Sequence, residues 1–165
     1  MDIKIPVGEF MKNKSAKSDI HLSVMIGQID DGAEEIKVLS PVKVDGVMYM
    51  TENVLNFNAH VKTSLELICS RCLQPFEKMF ENDINEQFTF DRNNKDVDTT
   101  FLDSDSLNVT EMIIEDIILS LPMKHLCKDD CKGLCPVCGT NLNFSSCNCS
   151  KSEIDPRLAK LKDLL

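Results

Sequence analysis

Cys135-Pro136-Val137-Cys138-Gly139 sits within a tail that also carries Cys127, Cys131, Cys147 and Cys149, and the organisation of the chain is read outward from it. Two cysteines separated by two residues, then a glycine that lets the chain turn, can present both sulfurs to one ion. Zinc takes four such ligands at about 2.3 Å. Cys147 and Cys149 are near enough in sequence to supply the other half, so the preferred quartet is Cys135, Cys138, Cys147 and Cys149. Cys127 and Cys131 stand as substitutes or as half of a second site. Spacing alone does not select four ligands from six candidates.

The metal reading depends on compartment, because eight cysteines in 165 residues also suit a secreted disulfide scaffold. The start, Met1-Asp2-Ile3-Lys4-Ile5-Pro6-Val7-Gly8, lacks the basic then apolar pattern of a signal peptide. No apolar run approaches the roughly 18 residues that span a bilayer. The expectation is a cytoplasmic protein with no membrane contact, whose thiols stay reduced and whose clustered cysteines bind metal.

Charge is uneven along the chain. Residues 1–126 hold 12 basic and 22 acidic residues, a net of −10, and residues 127–165 hold 6 and 5, a net of +1. An acidic body repels phosphate and suits a basic protein partner better than a nucleic acid.

Upstream of the tail, short apolar stretches alternate with turn signals. Asp45-Gly46, between Val42-Lys43-Val44 and Val47-Met48-Tyr49-Met50, predicts a hairpin turn. Leu55 to Val61 and Val61 to Leu67 read as further strands, and Phe76, Phe80, Ile84, Phe88 and Phe90 as sheet or core residues. Between Asp91 and Ser106, the polar run Asp91-Arg92-Asn93-Asn94-Lys95-Asp96-Val97-Asp98 reads as a mobile loop. Asn108 as N-cap, Glu111 three residues later, apolar residues at 109, 113, 117 and 121, and Pro122 as a stop together predict a long helix. Asp155-Pro156 announces a short terminal helix with Leu158, Leu161 and Leu165 on one side. At about ten residues it must dock on something to be stable. The fold class expected is α+β. It comprises an N-terminal antiparallel sheet or small barrel with one long helix near 108–121 (residues 1–126), then a cysteine-rich zinc-binding tail with a short helix (127–165).

Cys69-Ser70-Arg71-Cys72 has three readings: completion of a second zinc site with Cys127 and Cys131, a redox dithiol activated by Arg71, or two buried cysteines at a strand end. The redox reading wants a βαβ context that is not predicted, and zinc is preferred. His125 reads as a surface residue before it reads as a ligand. No phosphate loop, His-Glu-x-x-His or Gly-x-Ser-x-Gly is present, and a four-cysteine zinc site has no open position for substrate. The chain is expected to be no enzyme and to take no small-molecule substrate.

Set in order, Cys69-Ser70-Arg71-Cys72-Leu73-Gln74-Pro75-Phe76, Leu119-Ser120-Leu121-Pro122, Cys131-Lys132-Gly133-Leu134-Cys135-Pro136-Val137-Cys138-Gly139-Thr140-Asn141-Leu142-Asn143, Cys147-Asn148-Cys149 and Asp155-Pro156-Arg157-Leu158 resemble the YceD family. Its members are described as large ribosomal RNA subunit accumulation proteins. The resemblance implies a bacterial or organellar ribosome biogenesis factor supporting accumulation, processing or assembly of large-subunit (23S) ribosomal RNA. The partner is then a large-subunit ribosomal precursor, a ribosomal protein or rRNA, contacted through Lys132, Arg157 and Lys160. The alternatives carried forward are a direct RNA-binding zinc module and a thiol redox protein using Cys69 and Cys72.

Overall fold

The structure, a computed structural model, describes residues 3–13, 15–32, 35–92 and 99–149. The chain divides into two compact units, residues 1–67 with 76–123 and residues 68–75 with 124–165.

The first unit is built from β1 (Lys4–Pro6), α1 (Gly8–Lys12), β2 (Lys17–Val24), β3 (Gln28–Asp30), β4 (Glu35–Val38), β5 (Val42–Thr51), β6 (Val54–Ile68), β7 (Pro75–Thr89), β8 (Thr100–Phe101), β9 (Ser106–Asn108) and α2 (Val109–Ser120). β2 pairs antiparallel with β5, and β3 with β4, while β4 and β5 both pair with β6. Residues 17–30 and 35–51 therefore run as two long strands, each interrupted at the same level, at 25–27 and 39–41. At the break, Val38 N donates to Gly27 O (3.1 Å) and Leu39 N to Ser64 O (2.8 Å). Ser40 Oγ accepts from Ser64 N (2.9 Å), and Thr63 Oγ1 donates to Ser40 O (2.9 Å), so the backbone groups freed from the ladder are satisfied. Such a break lets a sheet bend, and this one curls into a half-barrel. Among the described residues no strand pairing closes it into a barrel.

Val42, Val44, Met48 and Met50 from β5, Leu55, Phe57, Ala59 and Val61 from β6, and Phe80, Ile84 and Phe88 from β7 are buried; the alternation is regular in β5, while β6 also buries Asn56, Thr63 and Ser64. The four-residue spacing in β7 mimics a helix, but the intervening Asn82 and Glu86 share that face of the strand. α2 begins at an asparagine N-cap. Asn108 Oδ1 accepts from Glu111 N, and Asn108 Nδ2 donates to Glu111 Oε2 (3.1 Å). Val109, Ile113 and Ile117 are fully buried, and Leu121 packs against the core as the helix stops before Pro122.

Two expectations are corrected. Asp45-Gly46 is no turn; β5 runs straight through it, and the reversal falls at Glu52-Asn53, whose φ values of 50° and 71° form the tight turn. In place of one long helix, the described residues contain two, α1 of five residues and α2 of twelve. Most of the polar run read as a mobile loop, residues 93–98, lies outside the described residues; after it β8 pairs parallel with the end of β7, and Arg92 forms an ion pair with Asp103 at 2.9 Å. The terminal helix at 155–165 lies outside the described residues.

Asp116 on α2 is half-buried. Its Oδ1 accepts from Asn82 Nδ2 (2.8 Å) and Ser120 Oγ (3.4 Å), while Oδ2 is buried without a partner. Burial pushes this carboxyl up, with Asn82 and Ser120 pulling the other way. A carboxyl raised by folding binds its proton more tightly in the folded state. Its contribution is thus fully present below the unfolded value of 3.8 and is lost as pH rises through the folded value. Relative to Asp116→Asn, the wild type should gain stability as pH falls from neutral toward 4. Urea unfolding followed at Tyr49 measures this, and parallel pH profiles would disprove it.

Candidate metal centre

All eight cysteines fall in the second unit, and their sulfurs form two quartets. Cys69, Cys72, Cys127 and Cys131 make one and Cys135, Cys138, Cys147 and Cys149 the other, with the sulfurs of each set within 4.8 Å of one another. The first set is the more deeply buried, with Cys69, Cys72 and Cys131 each at most 3% exposed; in the second, Cys138 is exposed.

Each quartet is started by a knuckle of the same design. In Cys135–Thr140, Cys135 N donates to Thr140 O (2.8 Å) and Gly139 N to Cys135 O (2.9 Å), with Gly139 at φ 72°. In Cys69–Gln74, Cys69 N donates to Gln74 O (3.0 Å) and Leu73 N to Cys69 O (2.9 Å), with Leu73 at φ 57°. Leucine stands where the second knuckle has glycine, and a left-handed conformation costs an L-residue roughly 1–2 kcal/mol. Leu73 is 61% exposed, so little packing offsets that cost. Leu73→Gly should accordingly be more stable than the β-branched Leu73→Val by roughly 1–2 kcal/mol, read as the denaturant midpoint of the second unit. Equal midpoints would show that the strain is absent.

The knuckles are tied to the tail by groups other than the cysteine sulfurs. Ser70 N donates to His125 O (2.8 Å) and His125 N to Ser70 Oγ (3.1 Å). Arg71 Nη1 donates to Cys131 O (3.0 Å), and Leu134 N to Arg71 O (3.2 Å). Gly133, at φ 70°, passes so close that a Cβ there would sit 3.0 Å from Arg71 O. Asn143 Nδ2 donates to Cys131 Sγ (3.3 Å), and its Oδ1 accepts from Lys132 N (2.9 Å). Arg71 thus serves as a strut, and Asn143 as a donor to a sulfur.

The donor set fits a metal ion. Cys69 Sγ lies 3.8 Å from Cys131 Sγ, and Cys72 Sγ 3.7 Å from Cys127 Sγ. Four sulfurs on a tetrahedron at about 2.3 Å from its centre lie about 3.8 Å apart, whereas a disulfide brings two sulfurs to about 2.05 Å. The thiols also divide in pairs. Burial opposes ionisation of Cys69, but the N–H groups of Cys127, Cys72 and Arg71 bring it down to about 6. Thr140, through its side chain and backbone, lowers Cys138 to about 6. Burial, and then the neighbouring Cys131 and Cys69, push Cys127 up to about 12; Cys138, with burial next, does the same to Cys149. Four thiolates at this spacing repel one another without a cation among them, and a divalent ion removes that penalty.

Of the other residues singled out in the sequence, Lys132 is exposed beside the second quartet, where it lines a shallow pocket with Val137 and Leu142. His125 belongs to neither quartet. Arg157 and Lys160 lie outside the described residues.

No solved structure matches the chain. It is 29% identical over 146 residues to the uncharacterized protein YlbN of Bacillus subtilis, covering 87% of this chain and 85% of that one. An uncharacterized protein of Mycobacterium tuberculosis is 31% identical over 102 residues, 59% of this chain and 49% of its own length. The Arabidopsis thaliana chloroplastic protein named large ribosomal RNA subunit accumulation protein YCED homolog 1 is 24% identical over 156 residues, 76% of this chain and 49% of its own. The chain thus spans about half the length of these last two. The family described as large ribosomal RNA subunit accumulation protein YceD matches residues 57–165, a span that holds all eight cysteines, and the chain belongs to the YceD family.

Proposed function

We propose that this chain is a cytoplasmic, non-enzymatic factor that supports accumulation, processing or assembly of large-subunit (23S) ribosomal RNA, with two structural zinc ions in its second unit. Family membership over residues 57–165 carries the process. The thiol quartets carry the metal: Cys69, Cys72, Cys127 and Cys131 would hold one ion and Cys135, Cys138, Cys147 and Cys149 the other. Four sulfur donors per site select a soft or borderline ion and leave no ligand position open for substrate. Bound there, zinc would supply cross-links between knuckle and tail in a segment whose described residues bury little apolar surface besides the cysteines. No helix is long and apolar enough to cross a membrane, among the described residues.

The net charge of −9 favours a basic ribosomal protein, or a particle presenting one, as the partner. Direct RNA contact is the second reading. It is favoured by Phe144, 83% exposed and free to stack on a base, on the same tail as Lys128 and Lys132. Burial of Cys69 and Cys72 speaks against a thiol redox role for that pair.

The deciding experiment is sedimentation of the tagged protein from a gentle lysate. Co-migration with large-subunit precursors that disappears in high salt supports the assembly reading; a protein that stays at the top of the gradient under the mildest conditions opposes it. Metal analysis of the purified chain should return two zinc ions per molecule, and iron or no metal would overturn that part.

A further inference from the structure

Between β7 and α2 lies a groove of about 400 Å³ whose wall and floor belong wholly to the first unit. Phe88, Leu102 and Met112 form its apolar part, and Leu119 at its rim is 84% exposed, unusual for leucine on a helix that otherwise buries its apolar stripe. Glu86, Glu111, Glu115 and Asp116 line the same groove, and among the described residues no lysine or arginine does.

None of these four carboxylates takes part in an ion pair among the described residues, whereas several other acids of the unit do: Asp45 with His21, Glu66 with Lys37, Asp83 with His60, Asp103 with Arg92. Asp116 also keeps a buried carboxylate oxygen without a donor. The four acids do not converge on a point. The only groups of three or more potential ligands within 4.8 Å of one another, among the described residues, are the cysteine quartets. A single cation is therefore a poor occupant. Glu111 and Glu115 are one helical turn apart on α2, flanking Met112 and Leu119, so acidic and apolar positions run side by side along the groove.

We propose that this groove is a docking site for a basic amphipathic segment of a partner protein, with apolar side chains seated on Phe88, Met112 and Leu119 and successive lysines or arginines along Glu86, Glu111 and Glu115. RNA would bring its phosphates against uncompensated carboxylates. The inference places a surface under the ribosomal reading and rests on it only for the partner's source.

The test uses the full chain loaded with zinc and a fluorescein-labelled helical peptide of leucines and lysines with an apolar stripe, compared with a scrambled peptide of the same composition. Fluorescence anisotropy should show the amphipathic peptide binding more tightly than the scrambled one, with affinity falling as salt rises. Glu111→Lys/Glu115→Lys should weaken it about tenfold or more, whereas Asp19→Lys/Asp45→Lys, an equal change of charge on β2 and β5, should leave it within about twofold. Amide shifts on peptide addition should map to Glu86, Met112 and Leu119. Equal binding of both peptides, equal weakening by both double variants, or shifts mapping elsewhere would each overturn the proposal. So would self-association of the wild type that Leu119→Glu abolishes, which would assign the groove to a second copy. Sedimentation separates the two readings. A wild type that binds peptide but never migrates with precursors removes the ribosomal role alone; one that migrates with precursors but fails the peptide test removes the groove alone.

Discussion

Replacing Cys131 with serine is expected to release one metal ion and unfold residues 68–75 and 124–134 while leaving the half-barrel of the first unit folded. Cys131 is buried, faces Cys69 at 3.8 Å, and receives N–H density from Asn143. Serine is a poor soft-metal ligand, and structural zinc contributes roughly 10–16 kcal/mol to the segments that hold it. The segment has little else. Besides the cysteines, the described residues of the second unit contribute no side chain to the buried core, and backbone hydrogen bonds of its length do not hold a fold alone. Cys138→Ser should act likewise on the second quartet, loosening residues 135–149, although Cys138 is exposed and its knuckle backbone is hydrogen-bonded through Thr140. Chelation at neutral pH should reproduce both effects together. Limited proteolysis with mass mapping, alongside zinc per chain, distinguishes the outcomes. A tail that stays equally protease-resistant after chelation, or in Cys138→Ser, would show that it folds without metal.

The second large effect concerns Gly46. It pairs with Ala59 in the middle of the β5–β6 ladder, and a Cβ built on it would lie 2.5 Å from Ala59 Cα and 2.6 Å from Ala59 Cβ, closer still to the Asn58 carbonyl oxygen. Those neighbours are backbone and a methyl group, so no flexible side chain can move aside. Gly46→Val should push the two central strands apart and destabilise the first unit by about 3 kcal/mol or more, beyond ordinary overpacking. Tyr49, three residues along β5, reports the urea transition. A midpoint within about 1 kcal/mol of wild type would mean that the strands separate at little cost.

This glycine also shows where local reading fails. Asp45-Gly46 carries the strongest short hairpin signal in the chain, yet its glycine serves close approach of two strands. The real turn, Glu52-Asn53, needs positive φ at both residues, which asparagine tolerates and glutamate does not favour. Nothing local marks it. The strands themselves were legible because alternation with period two follows from having one buried face, and α2 was legible because its N-cap and stop are local chemistry. The breaks at 25–27 and 39–41 were not, since the bend is stabilised by Thr63 and Ser64 from a strand more than twenty residues away.

The knuckles divide in the same manner. Two cysteines separated by two residues, with a residue able to turn behind them, define a pair of donors by sequence alone at 69–72 and at 135–138, and the YceD resemblance is likewise a property of the ordered residues. The Leu73 knuckle was harder to see than the Gly139 one because its left-handed residue carries a side chain. Which pair faces which is a long-range matter. Cys69 and Cys72 meet Cys127 and Cys131 across 55 or more residues because Ser70 clasps His125 and Arg71 reaches the Cys131 carbonyl. The acidic balance of the chain is likewise a property of composition, but the gathering of four unpaired carboxylates around Phe88, Met112 and Leu119 required β7 and α2 to be laid side by side. Sequence determines what each short segment can do, because its donors, caps and alternation act over a few residues. Tertiary structure decides which of those segments share a site, because that choice is made by contacts between residues far apart in the chain.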